Sequence, residues 1–405
     1  MTAIADTTEI PPDQGTISGR LTLLLAVAGG LVVGNLYYAQ PLIGPISADL
    51  GLSLHAAGLI VTMTQIGYVI GLLLIVPLGD LVENRRLICI ELCVGAVALF
   101  GAACSTHPAQ FLAASLLIGV GSVTVQIIVP YAAHLAPEAV RGRVVGNVTT
   151  GLMLGIMLAR PVASFLTSIS SWHTVFFSST AVMLVLAVVL SRALPQRKPV
   201  ARLHYGALLG SMLHLALTTR VLQRRAIYQA LMFSAFSLFW TVTPLLLAAD
   251  YGLSQRGIAL FALAGVAGVA AAPIAGRVAD RGWSRPATAC AMLIAAIAFL
   301  ITHLAQPGSH LALGLLVAAG ILLDFGVQGN VVLGYRAIFM LGTEFRSRYN
   351  AIYMATFFTS AAGASALGSW AYAHGGWSLA AWIGFAMPVV GLLCLATERP
   401  ANPPV

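Results

Sequence analysis

Apolar runs of about twenty residues recur along the whole chain and are separated by short polar breaks. A helix needs about 20 apolar residues to cross the hydrocarbon core of a bilayer. Hydrophobic residues make up 59% of the chain and charged residues only 8%, against about 25% charged residues in ordinary soluble domains. The sequence therefore excludes a soluble enzyme, a disordered chain and a secreted disulfide scaffold, and it predicts a protein that lies in a membrane.

The apolar runs predict an all-α integral membrane fold with twelve spans. The bilayer core offers the backbone no hydrogen-bond partners, so each span has to be a helix, and the runs are too long and too continuously apolar for barrel strands. The first six predicted spans are 21–45, 56–79, 87–104, 108–133, 144–168 and 173–192. The second six are 226–248, 256–278, 285–304, 309–335, 348–373 and 377–396.

The longest connection between spans divides the chain into two bundles of six. Its centre is apolar but more broken than the spans, which predicts a helix lying at the membrane interface. The predicted domains are a tail at 1–20, a first bundle at 21–192, a linker at 193–225, a second bundle at 226–396 and a tail at 397–405.

The basic residues predict the orientation of the chain in the membrane. With the exceptions of Arg160 and Arg256, they fall in the tails, or in and beside the loops on the same side as the N-terminus. Loops rich in Lys and Arg stay in the cytoplasm, so both termini are predicted to be cytoplasmic. The basic residues behind the net charge of +8 then form a rim on the cytoplasmic side of the membrane rather than a surface that binds nucleic acid.

The two halves of the chain repeat one another in sequence. The segment DLGLS at 49–53 recurs as DYGLS at 250–254, and the pair VQ at 125–126 recurs at 327–328. Asp80 similarly corresponds to Asp280. An internal duplication of six spans keeps both halves in the same orientation, which is typical of one large class of secondary transporters with a site near the middle of the membrane.

The loop after the second span carries a recognisable pattern, PLGDLVENRR, and the loop after the eighth span carries its copy, GRVADRGWSRP. With the six-plus-six layout, these loops make the chain similar to the major facilitator superfamily. An Asp at a helix end can pair with an Arg and accept hydrogen bonds from a helix N-terminus. The resemblance implies a gating latch, and the alternative is that these charges only set topology. The predicted latch residues are Asp80, Arg85, Arg86, Asp280, Arg281 and Arg285.

Within that superfamily the chain resembles the drug-proton antiporter branch. Small residues recur in the fifth span at Gly151 and Gly155, although Ser115 stands where that branch carries an Arg in the fourth span. The stretch NLYYAQPL at 35–42 is similar to a bacterial branch of exporters. The resemblance implies export of small, partly hydrophobic compounds across a bacterial inner membrane in exchange for protons. The alternative is an uptake symporter or a facilitator, and a receptor or an enzyme is the alternative of another class.

Two charged residues lie near the middle of predicted spans, Asp324 in the tenth and Arg160 in the fifth. Such a charge costs about 2.5–3.5 kcal/mol even on a mild scale, so it is retained for a function or a partner. Burial favours the neutral form of a carboxyl and a nearby Arg favours the ionised form. We therefore expect Asp324 to carry a coupling proton under the control of Arg160. The alternatives are that Arg160 binds an anionic substrate group and that the two residues form a fixed ion pair.

Polar and aromatic side chains recur in the spans that line the central cavity of the superfamily fold. A ligand pocket is mostly apolar and aromatic with a few fixed polar groups, although aromatic residues at helical spacing also serve for packing alone. The predicted substrate-binding residues are Tyr37, Tyr38, Gln40, Gln126, Trp240, Gln328 and Asn330.

The expected partners are a small-molecule substrate, protons and the lipid bilayer, with the protein acting as a monomer. The sequence contains no Gly-rich phosphate-binding loop with a Lys and no catalytic cluster, so neither ATP-driven transport nor enzymatic activity is expected. Cys89 and Cys93 share a helix face, but no further Cys or His completes a metal site, and no cofactor is expected.

Overall fold

A computed structural model describes residues 18–199, 204–342 and 345–398. Most of the two predicted tails, at 1–17 and 399–405, lies outside these ranges. Within the described ranges, ten helical segments are long and apolar enough to cross a membrane. The first span adds one more, because it consists of helices too short to be counted alone. The last segment contains two spans joined at a kink, which brings the number of spans to twelve.

The first half of the chain contains helices α1 to α8. The first span consists of α1 (Gly19–Gly34) and α2 (Ile43–Leu50), with a 3-10 turn at Gln40–Leu42 between them. The second span is α3 (Leu59–Leu74), which 3-10 turns extend at both ends. The remaining spans are α4 (Asn84–Ala103), α5 and α6 (Pro108–Ser122 and Thr124–Leu135), α7 (Glu138–Ile169) and α8 (Trp172–Ala193).

The second half begins with α9 (Tyr205–Thr218) in the linker. The seventh span is α10 (Arg220–Ala249), and the eighth consists of α11 (Gln255–Ala262), a 3-10 segment (Leu263–Ala270) and α12 (Ala271–Asp280). The ninth and tenth spans are α13 (Ser284–Ile301) and α14 (His310–Phe339), followed by α15 (Arg346–Ala396).

Helix α15 contains the last two spans. Its helical geometry breaks at Gly375 and Gly376, and Gly376 has a φ of +61°. A glycine adopts this left-handed conformation without the steric cost that a side chain would bring. The break lies between the predicted spans 348–373 and 377–396.

The two halves of the molecule pack in the same pattern. In the first half, α1 packs on α7, α3 on α5 and α4 on α8. The corresponding contacts in the second half join α10 to α15, α12 to α14 and α13 to α15. This equivalence confirms two six-helix bundles related by a pseudo-repeat. Since successive spans alternate in direction, α1 begins and α15 ends on the same side, which we call the terminal side, and the other is the distal side.

Besides the second span, which ends in 3-10 turns, three predicted spans are not continuous α-helices. The first ends as an α-helix at Gly34, because the backbone N–H groups of the next three residues bond to carbonyl oxygens three residues back instead of four. Just beyond, Pro41 cannot donate from its nitrogen. The fourth is interrupted at Val123, between α5 and α6. The eighth becomes a 3-10 helix over Leu263–Ala270, where it approaches α14.

Glycines bring α1 and α7 into backbone contact. A Cβ placed on Gly30 would lie 2.5 Å from the carbonyl oxygen of Gly151, and a Cβ on Gly155 would overlap the backbone of Gly30. Small residues allow such close approach between membrane helices, where van der Waals packing is a main source of stability. This contact fixes the position of α7 relative to the first span.

The two bundles meet on the distal side along α3 and α15. Thr62 Oγ1 donates to the carbonyl oxygen of Ala362 at 2.8 Å. A Cβ on Gly58 would overlap the carbonyl oxygen of Ser365 and lie 2.6 Å from Ser369 Oγ. At the opposite edge of the interface, α7 packs on α11. The distal side of the interface is therefore closed.

A buried polar network joins the bundles just below this contact. Gln65 Nε2 donates to Ser237 Oγ at 2.8 Å, and the Ser237 and Ser365 hydroxyls lie 2.6 Å apart. Thr241 Oγ1 also donates to Ser365 Oγ, at 3.3 Å. All four side chains are buried. Because each group has a partner, the network can remain in an apolar interior without a large desolvation penalty.

Candidate functional site

Asp324 lies near the middle of α14 and is completely buried. Its Oδ1 accepts a hydrogen bond of 2.8 Å from Trp240 Nε1, and its Oδ2 has no partner among the described residues. Two glycines of the 3-10 segment pack directly against it. A Cβ on Gly265 would lie 2.7 Å from Oδ2, and a Cβ on Gly268 would lie 2.7 Å from the Asp324 Cβ. The glycines therefore let the eighth span cover the carboxyl.

Arg160 lies on α7, and only 1% of its surface is exposed. Its Nε donates to Gln40 Oε1 at 2.7 Å. The guanidinium carbon lies 4.4 Å from the centroid of the Trp240 ring, 4.9 Å from that of Phe236 and 5.2 Å from that of Tyr37. These distances fall within the range of cation–π attraction. The aromatic rings partly replace the water that a buried guanidinium has lost.

Asp324 and Arg160 lie within electrostatic range of each other but do not form an ion pair. Among the described residues, only two pairs of a basic and an acidic side chain have a nitrogen and an oxygen within 4.0 Å, His173 with Asp49 and Arg336 with Asp280. Trp240 contacts both groups, since its N–H bonds to the carboxyl and its ring lies against the guanidinium. The two charges therefore share one indole, with Arg160 on the first bundle and Asp324 on the second.

A cavity of about 10 Å³ borders this cluster on the distal side of Trp240. Its lining includes Arg160, Pro41 and Phe261. A space of this size holds about one water molecule. The site is thus nearly filled by its own side chains while the distal side is closed.

The structure brings together three of the seven predicted substrate-binding residues, Tyr37, Gln40 and Trp240, around Arg160. Tyr38 instead lines a separate groove of about 950 Å³ between α1 and α7. Gln328, on α14, is half-buried.

Two other predicted residues form polar contacts nearer the terminal side. Gln126 donates to the Tyr68 hydroxyl at 3.0 Å and accepts from Asn350 Nδ2 at 3.3 Å, which links the two bundles. Asn330 donates to Gln229 Oε1 at 2.8 Å within the second bundle.

Phe236, Gly265 and Gly268 are not among the predicted site residues, although Phe236 belongs to the aromatic residues of a predicted cavity-lining span. Phe236 lies one helical turn before Trp240 on α10, a spacing that places both rings on one face. The two glycines stand three residues apart in an Ala- and Gly-rich span, which indicated close helix contact without indicating its partner. Gln65 was detectable as a lone amide in an apolar span.

The predicted latch residues lie on the terminal side in two groups. Asp280 forms an ion pair with Arg336 of α14, within the second bundle. Asp80 lies within electrostatic range of Arg348, from the second bundle, and of Arg197 in the linker.

The basic latch residues face the linker or the solvent. Arg85 Nη1 donates to the Leu194 carbonyl oxygen at 3.3 Å, and Glu83 caps the backbone N–H groups of Arg85 and Arg86. Arg86, Arg281 and Arg285 are exposed. No group of three or more His, Cys, Asp or Glu residues in the described ranges could hold a metal ion.

Comparison with known sequences gives matches over nearly the whole chain. A sequence model described as Major Facilitator Superfamily matches residues 25–333 and 225–405. The chain is 39% identical over 378 residues to the Uncharacterized transporter YgaY of Escherichia coli, covering 93% of this chain and 95% of that protein. It is 30% identical over 388 residues to the Probable transporter SCO4007 of Streptomyces coelicolor, covering 95% and 89%.

Solved structures share the fold at low sequence identity. The nucleoside transporter NupG matches with a TM-score of 0.74 and 15% identity, covering 93% of this chain and 98% of that chain. A D-xylose-proton symporter matches with a TM-score of 0.69 and 19% identity, covering 95% and 98%. The structural likeness agrees with the sequence matches, and the chain belongs to the major facilitator superfamily of multi-pass membrane transporters.

Proposed function

We propose that the protein is a proton-coupled secondary transporter that works by alternating access, with Asp324 as the proton carrier. One observation supports this role above the others. Asp324 is buried at the interface, one of its carboxyl oxygens has no partner within the described ranges, and Arg160 of the other bundle is near it without pairing. A nearby cation favours the ionised carboxyl, so movement of one bundle against the other would change how readily Asp324 holds a proton.

For a neutral substrate we propose export by antiport, as the resemblance to drug-proton antiporters implies. Antiport requires the substrate and the proton to compete for one group. The unpartnered Oδ2 of Asp324 supports this arrangement, because a hydrogen-bond donor on a small, partly hydrophobic compound can bind there only when the carboxylate is free to accept it. The compound would then leave the cell as a proton enters.

For an anionic substrate the same geometry favours symport as a second candidate. Arg160 Nη2 is buried without a partner among the described residues, which leaves a donor for a negatively charged group. An anion bound there would be repelled by ionised Asp324 and tolerated by protonated Asp324. The charge of the substrate therefore decides between the two couplings.

We further propose that the terminal side is cytoplasmic, that the protein acts as a monomer in a bacterial inner membrane, and that the latch residues act on this side. The loop charges support the orientation through the positive-inside rule. The position of Asp80 near Arg348 supports a contact that would break when the terminal side opens.

Reconstitution into liposomes tests the proton coupling. Substrate flux and interior pH are followed together while candidate compounds are screened, for the natural sequence and for Asp324→Asn. We expect substrate-dependent proton movement with the natural sequence and none with the variant.

Glu91→Gln is a matched control, because Glu91 is also a buried carboxyl with one oxygen that has no partner in the described part of the chain, but it lies on α4, within the first bundle. It should retain proton movement. Substrate flux without proton movement, unchanged in Asp324→Asn, would refute the proposed coupling.

A further inference from the structure

Two buried N–H donors at the bundle interface have no acceptor among the residues that the structure describes. They are Arg160 Nη2 and Gln40 Nε2, and each side chain has 1% of its surface exposed. The two side chains bond to each other through Arg160 Nε and Gln40 Oε1, so the two free donors flank the same contact. Buried polar groups are nearly always paired, and an exception calls for a specific explanation.

The described residues supply no anion to these donors. The Asp324 carboxyl lies beyond 4.0 Å from the nitrogens of Arg160, and its Oδ1 is bonded to Trp240. A guanidinium presents donors in a planar fork that matches the two oxygens of a carboxylate. The free donors therefore fit a carboxylate from outside the protein.

The surroundings of the guanidinium indicate the shape of the rest of such a ligand. The rings of Tyr37, Phe236 and Trp240 lie around Arg160, and Pro41 and Phe261 border the adjoining cavity. These surfaces are flat and largely apolar, and small-molecule sites combine such walls with a few polar groups that fix orientation.

We propose that the substrate is a small organic acid with a flat apolar body, whose carboxylate accepts hydrogen bonds from Arg160 Nη2 and Gln40 Nε2. This inference rests on the proposed transport function and specifies its substrate class. The carboxylate binds between the bundles, where Arg160 supplies the positive charge and Gln40 fixes the second oxygen.

The coupling follows from the charges at the site. Arg160 from α7 and Tyr37 from the first span are the charged and titratable groups that lie around Asp324. With Asp324 ionised, the charges of Asp324 and Arg160 cancel, and an incoming carboxylate adds an unbalanced negative charge. With Asp324 protonated, the carboxylate balances Arg160. Proton and anion therefore favour each other's binding and cross the membrane together, which is symport.

Calorimetric binding to the purified full chain in detergent tests this inference between pH 5 and pH 9. The probes are benzoate, phenylacetate and hexanoate, each compared with its neutral amide. Carboxylic acids with a pKa of about 4 are mostly ionised over this range and fully ionised above about pH 6. We expect at least one acid to bind about tenfold or more tightly than its amide, with affinity falling by up to about tenfold per pH unit as Asp324 loses its proton.

Variants separate the two parts of the inference. Asp324→Asn imitates the protonated carboxyl, so it should bind the acid at least as tightly as the natural sequence and without pH dependence. Gln40→Ala should weaken binding of the acid about tenfold and leave binding of the amide unchanged. Arg160→Lys should also weaken binding of the acid, and Gln40→Ala keeps the proposal testable if Arg160→Lys fails to fold. Glu91→Gln should behave as the natural sequence does.

Three results would overturn the inference: equal binding of all acids and their amides, binding of acids that Gln40→Ala and Arg160→Lys leave intact, or affinity independent of pH in the natural sequence. Failure of the proposed function is a different result. Acid binding with the expected variants but transport without proton movement would refute the coupling to transport and retain the carboxylate site. Proton-coupled transport of a neutral compound only would retain the coupling and refute the site.

Discussion

The guanidinium of Arg160 lies against the face of the Trp240 ring, with 4.4 Å between its central carbon and the ring centroid. Arg160 belongs to α7 of the first bundle and Trp240 to α10 of the second. A desolvated cation–π contact contributes about 2 kcal/mol or more. A cation–π contact between a guanidinium of the first bundle and an aromatic ring of the second therefore helps to stabilise the closed interface.

Replacing Trp240 with Phe should impair transport while the aromatic contact with Arg160 remains. The variant loses the indole N–H that donates to Asp324 Oδ1. A hydrogen bond to a charged group contributes about 1.5–3 kcal/mol, so we expect slower proton-coupled transport and lower thermal stability in detergent. Trp370→Phe is the control, since 47% of Trp370 is exposed on the outer surface of α15. Equal effects of the two substitutions would contradict a specific role for the Trp240 N–H.

Adding one methyl group at Gly58 should prevent closure of the distal side. The new Cβ would overlap the Ser365 carbonyl oxygen, which is backbone and cannot move away alone. We expect a cysteine at Ser369, in a background without the native cysteines, to react several-fold faster with a membrane-impermeant maleimide in Gly58→Ala. Gly363→Ala is the control, because its Cβ would meet nothing within 4 Å. Unchanged labelling in Gly58→Ala would show that α3 and α15 can close without this contact.

Gly155→Ala should destabilise the first bundle. Its Cβ would overlap the backbone of Gly30, so α1 and α7 would have to separate. Overpacking of this kind costs about 1–3 kcal/mol, which should appear as a lower unfolding temperature in detergent. Gly146→Ala, on the same helix, meets nothing within 4 Å and should leave the unfolding temperature within experimental error. A stable Gly155→Ala protein would mean that the two helices separate at little cost.

The two acidic latch residues should differ in their effects. Asp280 pairs with Arg336 inside the second bundle and its side chain is 70% exposed, and exposed ion pairs contribute about 0–1 kcal/mol. Asp280→Asn should therefore change stability and transport little. Asp80→Asn should change the transport rate more, because Asp80 lies within electrostatic range of Arg348 of the other bundle. Transport assays on both variants decide this, and a larger effect at Asp280 would place the latch at the second copy.

The fold was largely predictable from the sequence because hydropathy and loop charge act over whole segments. The breaks within spans were not. The predicted helix 21–45 stops at Gly34, next to Asn35, whose side chain bonds to Ser179 on α8, far away in the chain. The 3-10 segment in the predicted helix 256–278 likewise lies where Gly265 and Gly268 contact Asp324. Local pattern contains no information on such partners.

The candidate site was predictable only where charge made it conspicuous. Asp324 and Arg160 stand out because an ionisable group in an apolar span is costly. Tyr37 and Tyr38 are adjacent and equivalent in the sequence, yet only Tyr37 lies against Arg160, while Tyr38 lines the groove beside α7. The break after α1 sets their orientation, so helical periodicity could not distinguish them.

The shared indole bears on proton leakage. If a proton alone neutralised Asp324, closing the interface would enclose Arg160 as an uncompensated cation in a nearly dry space, which is strongly unfavourable. In anion symport, a protonated transporter could therefore pass through the closed state cheaply only if it had also taken up the anion. The placement of the two charges on different bundles would thus prevent protons from leaking across the membrane when no substrate is present.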